Sequence, residues 1–186
     1  MHPVFRPHHL APRRWLICLD LLREHVVPGR PRYAAANAGV AAACRRVLEI
    51  ARAGRWRIVH SQHRDEGPPP AAHEMFGAPI EGLRPLVSEP VFFRQGLSAF
   101  GNPAFAAELR RARGGEVFLI GFSLADTCLA TALAGVDEGL SLTLLEDAVG
   151  AGSPQVSKEA AHAVLRPFLR ISPSSRLMAQ DLGAVS

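Results

Sequence analysis

The sequence predicts an α/β fold in which a mainly parallel sheet is covered by helices on both faces. Short apolar runs that suit strands alternate along the chain with segments whose spacing suits helices. One of these runs, residues 116–120, reads as a strand buried on both faces. With 186 residues and an ordinary globular composition, the chain is long enough for one well-buried core. We therefore expect a three-layer, Rossmann-like domain over residues 14–186.

The elements follow from apolar runs and their punctuation. Strands are expected at residues 15–19, 57–60, 91–93, 117–120, 140–145 and, as a possible sixth, 168–171. Helices are expected at 34–53, 105–113, 126–136 and 157–165, the first ending at Gly54 and the second at Gly114. Residues 64–90 are rich in Pro and Gly and predict a long loop that covers a site. Residues 1–13 predict a flexible N-terminal arm.

Charge and cysteine usage narrow the classes of function. The net charge of +4 comes from scattered arginines without interleaved aromatic residues, which favours a solvated basic face over nucleic-acid binding. Three cysteines without a CxxC spacing suggest neither a disulfide framework nor a zinc site. No apolar stretch is long enough to span a membrane, and the N-terminus lacks the apolar region of a signal peptide. A cytoplasmic protein without membrane or nucleic-acid partners is expected.

Reactive side chains follow three of the expected strands. Asp20 closes the first strand, Arg94 closes the third, and Thr127 and Cys128 follow the fourth. Carboxyl ends of parallel strands meet at one edge of a sheet, so these side chains can converge in a cleft. Each also has a structural alternative: Asp20 as a helix cap or loop acid, Arg94 as a surface charge, and Cys128 as a small buried core residue.

These motifs, taken in order, resemble one known family. The chain is similar over residues 15–182 to the isochorismatase-like hydrolase superfamily, which includes isochorismatases, nicotinamidases and carbamoyl-amide hydrolases. The resemblance implies a six-stranded parallel sheet, a homodimer or homotetramer, a small-molecule substrate and a catalytic trio of Asp, Lys and Cys. It is carried by residues 15–20, 58–63, 94–100, 121–132 and 146–149.

The chain departs from that trio at two of its three positions. Asp20 is present, but Arg94 stands where the family has lysine. Counting from Gly121 places the family's cysteine at Thr127, and Cys128 falls one residue later, where a helix turns it by about 100°. Leu22 also replaces the family's glutamine. A slipped register that presents Cys128 as the nucleophile stays open as an alternative.

The replacements favour chemistry without a covalent intermediate. A threonine hydroxyl is a poor nucleophile without a strong base, and an arginine keeps its charge instead of sharing a proton. The resemblance offers a precedent, because true isochorismatases lack the cysteine and use the aspartate on a vinyl ether. The hypothesis is that Asp20 handles the proton, Arg94 binds a substrate carboxylate through two hydrogen bonds, and Thr127 bonds substrate or water. A retired or repurposed ligand-binding member is the alternative, and a lyase or isomerase a third.

The remaining polar groups near this edge predict substrate contacts and no metal or cofactor. Gln62, His63, Ser123 and Leu124 are expected to line the pocket. Nicotinamidases of the family carry an Asp-x-His pair after the second strand, and this chain has His60, His63 and Asp65 in that region. Two residues three apart on a strand point to opposite faces, so a zinc site is not expected there.

Overall fold

The computed structural model describes residues 14–64, 77–150 and 157–177, and these form one six-stranded parallel sheet. The strand order is β3-β2-β1-β4-β5-β6. This confirms the predicted α/β class and the sixth strand. The N-terminal arm, 1–13, lies outside the described residues. The strands are β1 (Arg14–Leu19), β2 (Arg57–His63), β3 (Val91–Arg94), β4 (Glu116–Gly121), β5 (Ser141–Val149) and β6 (Arg170–Ser172).

Four α-helices accompany the sheet within the described ranges, and two of them begin at a side-chain cap. The Asn102 side chain accepts hydrogen bonds from the first turn of the second helix, which begins with a proline. Ser157 caps the fourth helix by accepting from the Ala160 N–H at 3.1 Å. The helices are α1 (Asn37–Ala53), α2 (Pro103–Leu109), α3 (Leu129–Asp137) and α4 (Lys158–Leu165).

Several predicted boundaries need correction. The first helix begins at Asn37 instead of residue 34, and α2 starts at its Pro103 and gives way to a 3-10 turn over Arg110–Ala112. The helix expected from residue 126 is preceded by a π-helical turn over Leu124–Cys128. Apolar periodicity carries no information on such terminal turns, because their hydrogen bonds depend on neighbouring elements.

The two faces of the sheet bury separate apolar cores. Along β1, Trp15, Ile17 and Leu19 face one core, while Leu16 and Cys18 face the other. This alternation is the two-residue period of a strand, and all five side chains are buried because helices cover both faces. The second core packs against α1, which buries Val47 and Leu48 completely. Because both faces of the sheet are apolar, the polar side chains of a site are expected at the ends of the strands.

The strand order changes direction between β1 and β4, and this crevice holds the candidate site. β1 pairs with β2 on one side and with β4 on the other, all in parallel. Gly121, at the end of β4, has φ 128°, and a Cβ there would lie 1.9 Å from the Leu19 carbonyl oxygen. Only glycine permits this approach of the two strand ends. Ligands of open α/β sheets bind at such switch points.

The described part of the predicted covering loop packs beside this crevice. Leu22 and Pro79 form an antiparallel bridge, with the Arg23 N–H donating to the Ala78 carbonyl at 2.9 Å. The Ile80 N–H donates to the Leu21 carbonyl at 2.9 Å. Residues 77–80 are therefore fixed against the segment that follows Asp20, and residues 65–76 lie outside the described part of the chain.

The structure bears on two further expectations from composition. Across the described ranges, every helix is too short or too polar to cross a bilayer. All three cysteines are buried and none forms a disulfide, in keeping with the absence of a disulfide framework from the sequence.

Candidate active site

Asp20 sits at the end of β1 in an unusual backbone conformation. Its φ is +45°, a left-handed value that aspartate tolerates better than most residues because its short side chain bonds locally. The backbone N–H of Asp20 donates to the Ser61 carbonyl at 3.0 Å, and its Oδ1 accepts from the His63 N–H at 2.7 Å. The end of β2 thus fixes the carboxylate, which is 1% exposed.

Arg94, at the end of β3, completes a buried ion pair with Asp20. Its Nη1 donates to Asp20 Oδ1 at 3.1 Å, and its Nη2 makes a short hydrogen bond to Oδ2. The same nitrogens donate to Ser61 Oγ at 3.3 Å and Thr127 Oγ1 at 3.0 Å. Nε donates to the Leu97 carbonyl at 3.3 Å.

These contacts occupy all five N–H groups of Arg94. The residue is also only 4% exposed. The sequence hypothesis that Arg94 binds a substrate carboxylate through two hydrogen bonds stays a prediction, and in this structure the donors that would form them are used by Asp20 and its neighbours. Charge-assisted bonds of this bidentate kind are among the strongest in proteins.

The turn after β4 presents Thr127 and not Cys128 to this network. The Cys128 N–H donates to the Ser123 carbonyl at 2.9 Å, which is the i to i−5 bond of the π-helical turn. Cys128 is completely buried within the apolar core on one face of the sheet. Burial raises the pKa of its thiol well above the ordinary value. The register counted from Gly121 thus brings the threonine hydroxyl, and not the thiol, to Arg94.

Ser123 and Leu124, both expected substrate contacts, have different surroundings in the structure. The Ser123 hydroxyl is buried and has no hydrogen-bond partner among the described residues. The Leu124 side chain packs in the apolar core, and its N–H donates to the Gly150 carbonyl at 2.8 Å. The Leu124 side chain is therefore part of the core, and the predicted substrate contact of Ser123 stays a prediction. The peptide bond between Phe122 and Ser123 is cis.

Of the two expected substrate contacts at the end of β2, Gln62 and His63, only His63 contacts Asp20. His63 meets Asp20 through its backbone N–H. Ser61, two residues earlier, turns its hydroxyl to Arg94, so the intervening Gln62 points to the other face of the sheet. Gln62 instead lines a cavity of about 460 Å³ together with Val91 and Phe93. The structure does not bring Gln62 to the ion pair.

Sequence reasoning missed Ser61 and His25. Ser61 is completely buried, and it lies opposite Leu19 in the parallel pairing of β1 with β2. This pairing places Ser61 beside Asp20, and it is the signal that could have located Ser61. His25 stacks on Phe122 at a centroid distance of 4.7 Å, and neither of its ring nitrogens has a hydrogen-bond partner among the described residues. Burial lowers the pKa of His25 to about 4, so its ring is neutral at pH 7.

The described residues offer no cluster of three or more His, Cys, Asp or Glu side chains that could hold a metal ion. His60 is buried and bonds instead to Glu89, with 3.1 Å between Nε2 and Oε2. Glu89 is held in turn by Arg52 at 2.8 Å. Asp65, the third candidate of the sequence analysis, lies outside the described residues.

Comparison with known proteins shows the family of the chain. A family model described as the isochorismatase domain matches residues 14–174. The chain belongs to the isochorismatase family. No curated protein matches it. The positions of Asp20, Arg94 and Thr127 are those that the sequence resemblance assigned to the family trio, and their catalytic role stays a prediction.

Solved structures of isochorismatase-family proteins share the fold. An isochorismatase from Pseudomonas putida is 23% identical, with a TM-score of 0.76 over 88% of this chain and 89% of its own. An isochorismatase family protein from Desulfovibrio vulgaris is 22% identical, with a TM-score of 0.78 over 93% and 99%. A cysteine hydrolase from Pseudomonas syringae is 17% identical, with a TM-score of 0.80 over 92% and 93%. At these identities the likeness establishes the fold.

Proposed function

We propose that this isochorismatase-family protein hydrolyses a small metabolite without a cysteine nucleophile. One observation carries the proposal: Arg94 joins the Asp20 carboxylate and the Thr127 hydroxyl in one hydrogen-bond network, from which Cys128 is excluded. A buried thiol whose pKa is raised is a poor nucleophile. The groups left for catalysis are a carboxylate and a hydroxyl.

Asp20 is arranged to accept a proton. A carboxylate offers about four lone-pair positions, and three are taken by the His63 N–H and the two Arg94 nitrogens. One position is left for a water or substrate donor. In the proposed reaction this remaining position takes a proton from an attacking water and returns it to the leaving group.

Thr127 supplies a second, directed hydrogen bond. Its Oγ1 accepts from Arg94 Nη2 at 3.0 Å, so the hydroxyl proton is available to another acceptor. In the proposed reaction this proton bonds the substrate oxygen or orients the water. Arg94 fixes both groups and touches neither the water nor the substrate, which makes it a positioning residue.

The same saturation of Arg94 bears on the substrate. A reacting group with its own negative charge would find no free cationic donor among these contacts. The buried Ser123 hydroxyl, which has no hydrogen-bond partner among the described residues, favours an uncharged polar group instead. An amide carbonyl and a vinyl ether both meet this condition, with any substrate carboxylate bound away from Arg94.

A retired or repurposed ligand-binding protein is the second candidate. The observation that favours it is the bonding of Arg94: the residue is buried, and every N–H of its guanidinium has an acceptor. This bonding is typical of an arginine in a purely structural ion pair. In that case the Asp20–Arg94 pair joins the ends of β1 and β3 and nothing more.

A substrate panel separates the two candidates. Wild type is assayed on small amides and vinyl ethers beside Cys128→Ala, Asp20→Asn and the double variant Arg94→Lys/Thr127→Cys, with Asp137→Asn at the end of α3 as a matched control. The hydrolase proposal expects wild-type turnover that survives Cys128→Ala and Asp137→Asn. It expects Asp20→Asn to lose about a hundredfold or more, the usual cost of losing a general base.

The other outcomes are equally informative. If wild type hydrolyses nothing and Arg94→Lys/Thr127→Cys does, the natural protein is a retired enzyme. Loss of wild-type turnover in Cys128→Ala would revive the slipped register and the thiol mechanism. Unchanged turnover in Asp20→Asn, with the fold checked by circular dichroism, would contradict the role given to Asp20.

A further inference from the structure

A second cavity, of about 580 Å³, opens at the amino ends of β1 and β2. It lies far from the candidate active site, because Trp15 on its wall and Asp20 are five residues apart along one strand, about 16 Å. Its volume is within the range of small-molecule sites. We call it the amino-edge cavity, and its charged lining consists of Arg14, Arg52, Arg55, Arg57, Arg111 and Glu89.

Arginine dominates the charge of the amino-edge cavity. Five arginines and one carboxylate line it, and Arg52 is paired with that carboxylate, Glu89, at 2.8 Å. Arg57 and Arg111 share a single acid outside the lining, Glu108. Like charges gathered this closely repel one another, and a bound anion relieves the repulsion.

Among the described residues, the cavity gathers more guanidinium groups than the carboxylates paired with them. Arg14 is paired with Glu116 at 3.1 Å, and the ion pairs of the five arginines within the described ranges involve three carboxylates, Glu89, Glu108 and Glu116. Arg55, an exposed residue of the turn after α1, has no carboxylate partner among the described residues. Guanidinium groups match phosphate oxygens through paired hydrogen bonds better than they match chloride or water.

Two indole rings stiffen the wall of the same cavity. Trp56 stacks on Phe118 at 5.0 Å, and the Arg14 guanidinium lies 5.2 Å from the Trp56 ring centroid. Trp15 is 3% exposed, and its indole N–H has no hydrogen-bond partner among the described residues. Such an unpartnered buried donor is uncommon in proteins and adds hydrogen-bonding capacity on this wall.

We propose that the amino-edge cavity binds a small phosphate-bearing anion with two or more negative charges. The bound anion is held by the arginines, with Arg55 and Arg111 closing over it from the exposed rim. The site is independent of Asp20 and Arg94, so it stands whether or not the protein is a hydrolase. The phosphate-bearing anion is therefore a second ligand, bound away from the active site, and it is not the molecule that is hydrolysed.

The chain carries its own reporter for this site. It contains two tryptophans, and both line the amino-edge cavity. Pyrophosphate and tripolyphosphate do not absorb where tryptophan emits, so their binding is followed directly by intrinsic fluorescence at constant ionic strength. We expect a saturable change in emission that weakens as sodium chloride is raised, because exposed charges are screened by salt.

Matched variants locate the binding. Arg55→Gln/Arg111→Gln removes two rim charges, and we expect the dissociation constant of pyrophosphate to rise at least about tenfold, since bonds to charged groups are the strong ones. Arg110→Gln is the control, because Arg110 is exposed in the same turn as Arg111 but does not line the cavity. It is expected to bind as wild type does.

Three results would overturn the proposal. The first is the absence of a saturable change with pyrophosphate or tripolyphosphate at millimolar concentration. The second is an equal loss of affinity in Arg110→Gln and in the double variant, which would indicate a diffuse effect of net charge. The third is tight binding of a single-stranded oligonucleotide by a protein that ignores both small anions, which would assign the basic surface to nucleic acid.

Discussion

The Arg94 guanidinium reaches the Thr127 hydroxyl at 3.0 Å, although these residues follow β3 and β4, which are separated in the sheet by β2 and β1. The arginine spans this distance across the carboxyl edge and bonds Ser61 and Asp20 on the way. Four strand ends are thereby held by one side chain. Changes at Arg94 or Thr127 are consequently expected to affect both stability and reactivity.

Thiol reactivity tests the register of the turn after β4. Thr127→Cys in a Cys128→Ala background places a thiol beside the Arg94 guanidinium, which favours the reactive thiolate. We expect iodoacetamide to label this variant at neutral pH faster than the wild type, because position 127 is 4% exposed and lies beside Arg94, whereas the wild-type thiols are at most 1% exposed. Mass spectrometry of the labelled peptide identifies the site. Rapid labelling of Cys128 in the folded wild type would contradict the register.

A double-mutant cycle tests the buried ion pair. Asp20→Asn and Arg94→Met each leave one charge without its partner, and we expect each to lower the free energy of unfolding by about 3–5 kcal/mol. The double variant removes both charges and is expected to cost less than the sum. Urea unfolding at pH 7 measures all three. Additive losses would show that Asp20 and Arg94 do not depend on each other.

Thr127 is expected to matter through its hydroxyl. Thr127→Val keeps the shape but leaves an Arg94 N–H buried without an acceptor, at a cost of about 1–3 kcal/mol of stability. Thr127→Ser retains the hydroxyl and serves as the matched control. Under the hydrolase proposal, Thr127→Val also loses turnover and Thr127→Ser keeps it. If valine and serine behave alike in both urea unfolding and turnover, the hydrogen bond seen at 3.0 Å has no energetic role.

His25 is expected to make stability depend on pH. Its pKa falls from 6.5 to about 4 on folding because the ring is buried. Between these values the unfolded chain binds more protons than the folded one, so this contribution is complete above pH 6.5 and is lost as pH falls towards 4. The loss amounts to about 3 kcal/mol. His25→Phe keeps the stacking on Phe122, and we expect the urea concentration at the unfolding midpoint to change less with pH between 6.5 and 4 in this variant than in the wild type.

A control isolates the His25 contribution. The pKa of His162 is also lowered by burial, so it acts in the same direction as pH falls below 6.5. His162→Gln should therefore remove a smaller, additive part of the pH dependence, because the two residues lie on different elements. An unchanged pH profile in His25→Phe would mean that the ring is not held neutral in the folded protein.

The fold was predictable because most of the strands contain a short apolar run, which is a local property of the sequence. The segment 117–120, for example, is apolar throughout, and β4 contains it. The ends of elements were less predictable. The π-helical turn over Leu124–Cys128 depends on a hydrogen bond from Leu124 to Gly150, a residue distant in sequence. Apolar periodicity does not encode such a contact.

The candidate site was predictable at the level of residue positions. Asp20, Arg94 and Thr127 stand at strand ends, and parallel strands bring their ends together. The chemistry of Arg94 was not predictable, since its free or bonded state depends on acceptors supplied by Ser61 and by the Leu97 carbonyl. These acceptors occupy donors that the expected carboxylate binding by Arg94 would use.

The sequence by itself determined the α/β class, the three strand-end residues and the replacement of a reactive cysteine position by Thr127. These follow from residue identity and spacing, which are local properties of the chain. Only the tertiary structure decided that Arg94 is fully bonded, that Leu124 is core and that five arginines meet at the amino-edge cavity. Those facts depend on which atoms lie within about 3 Å of one another, and side-chain contacts between distant segments are set by packing.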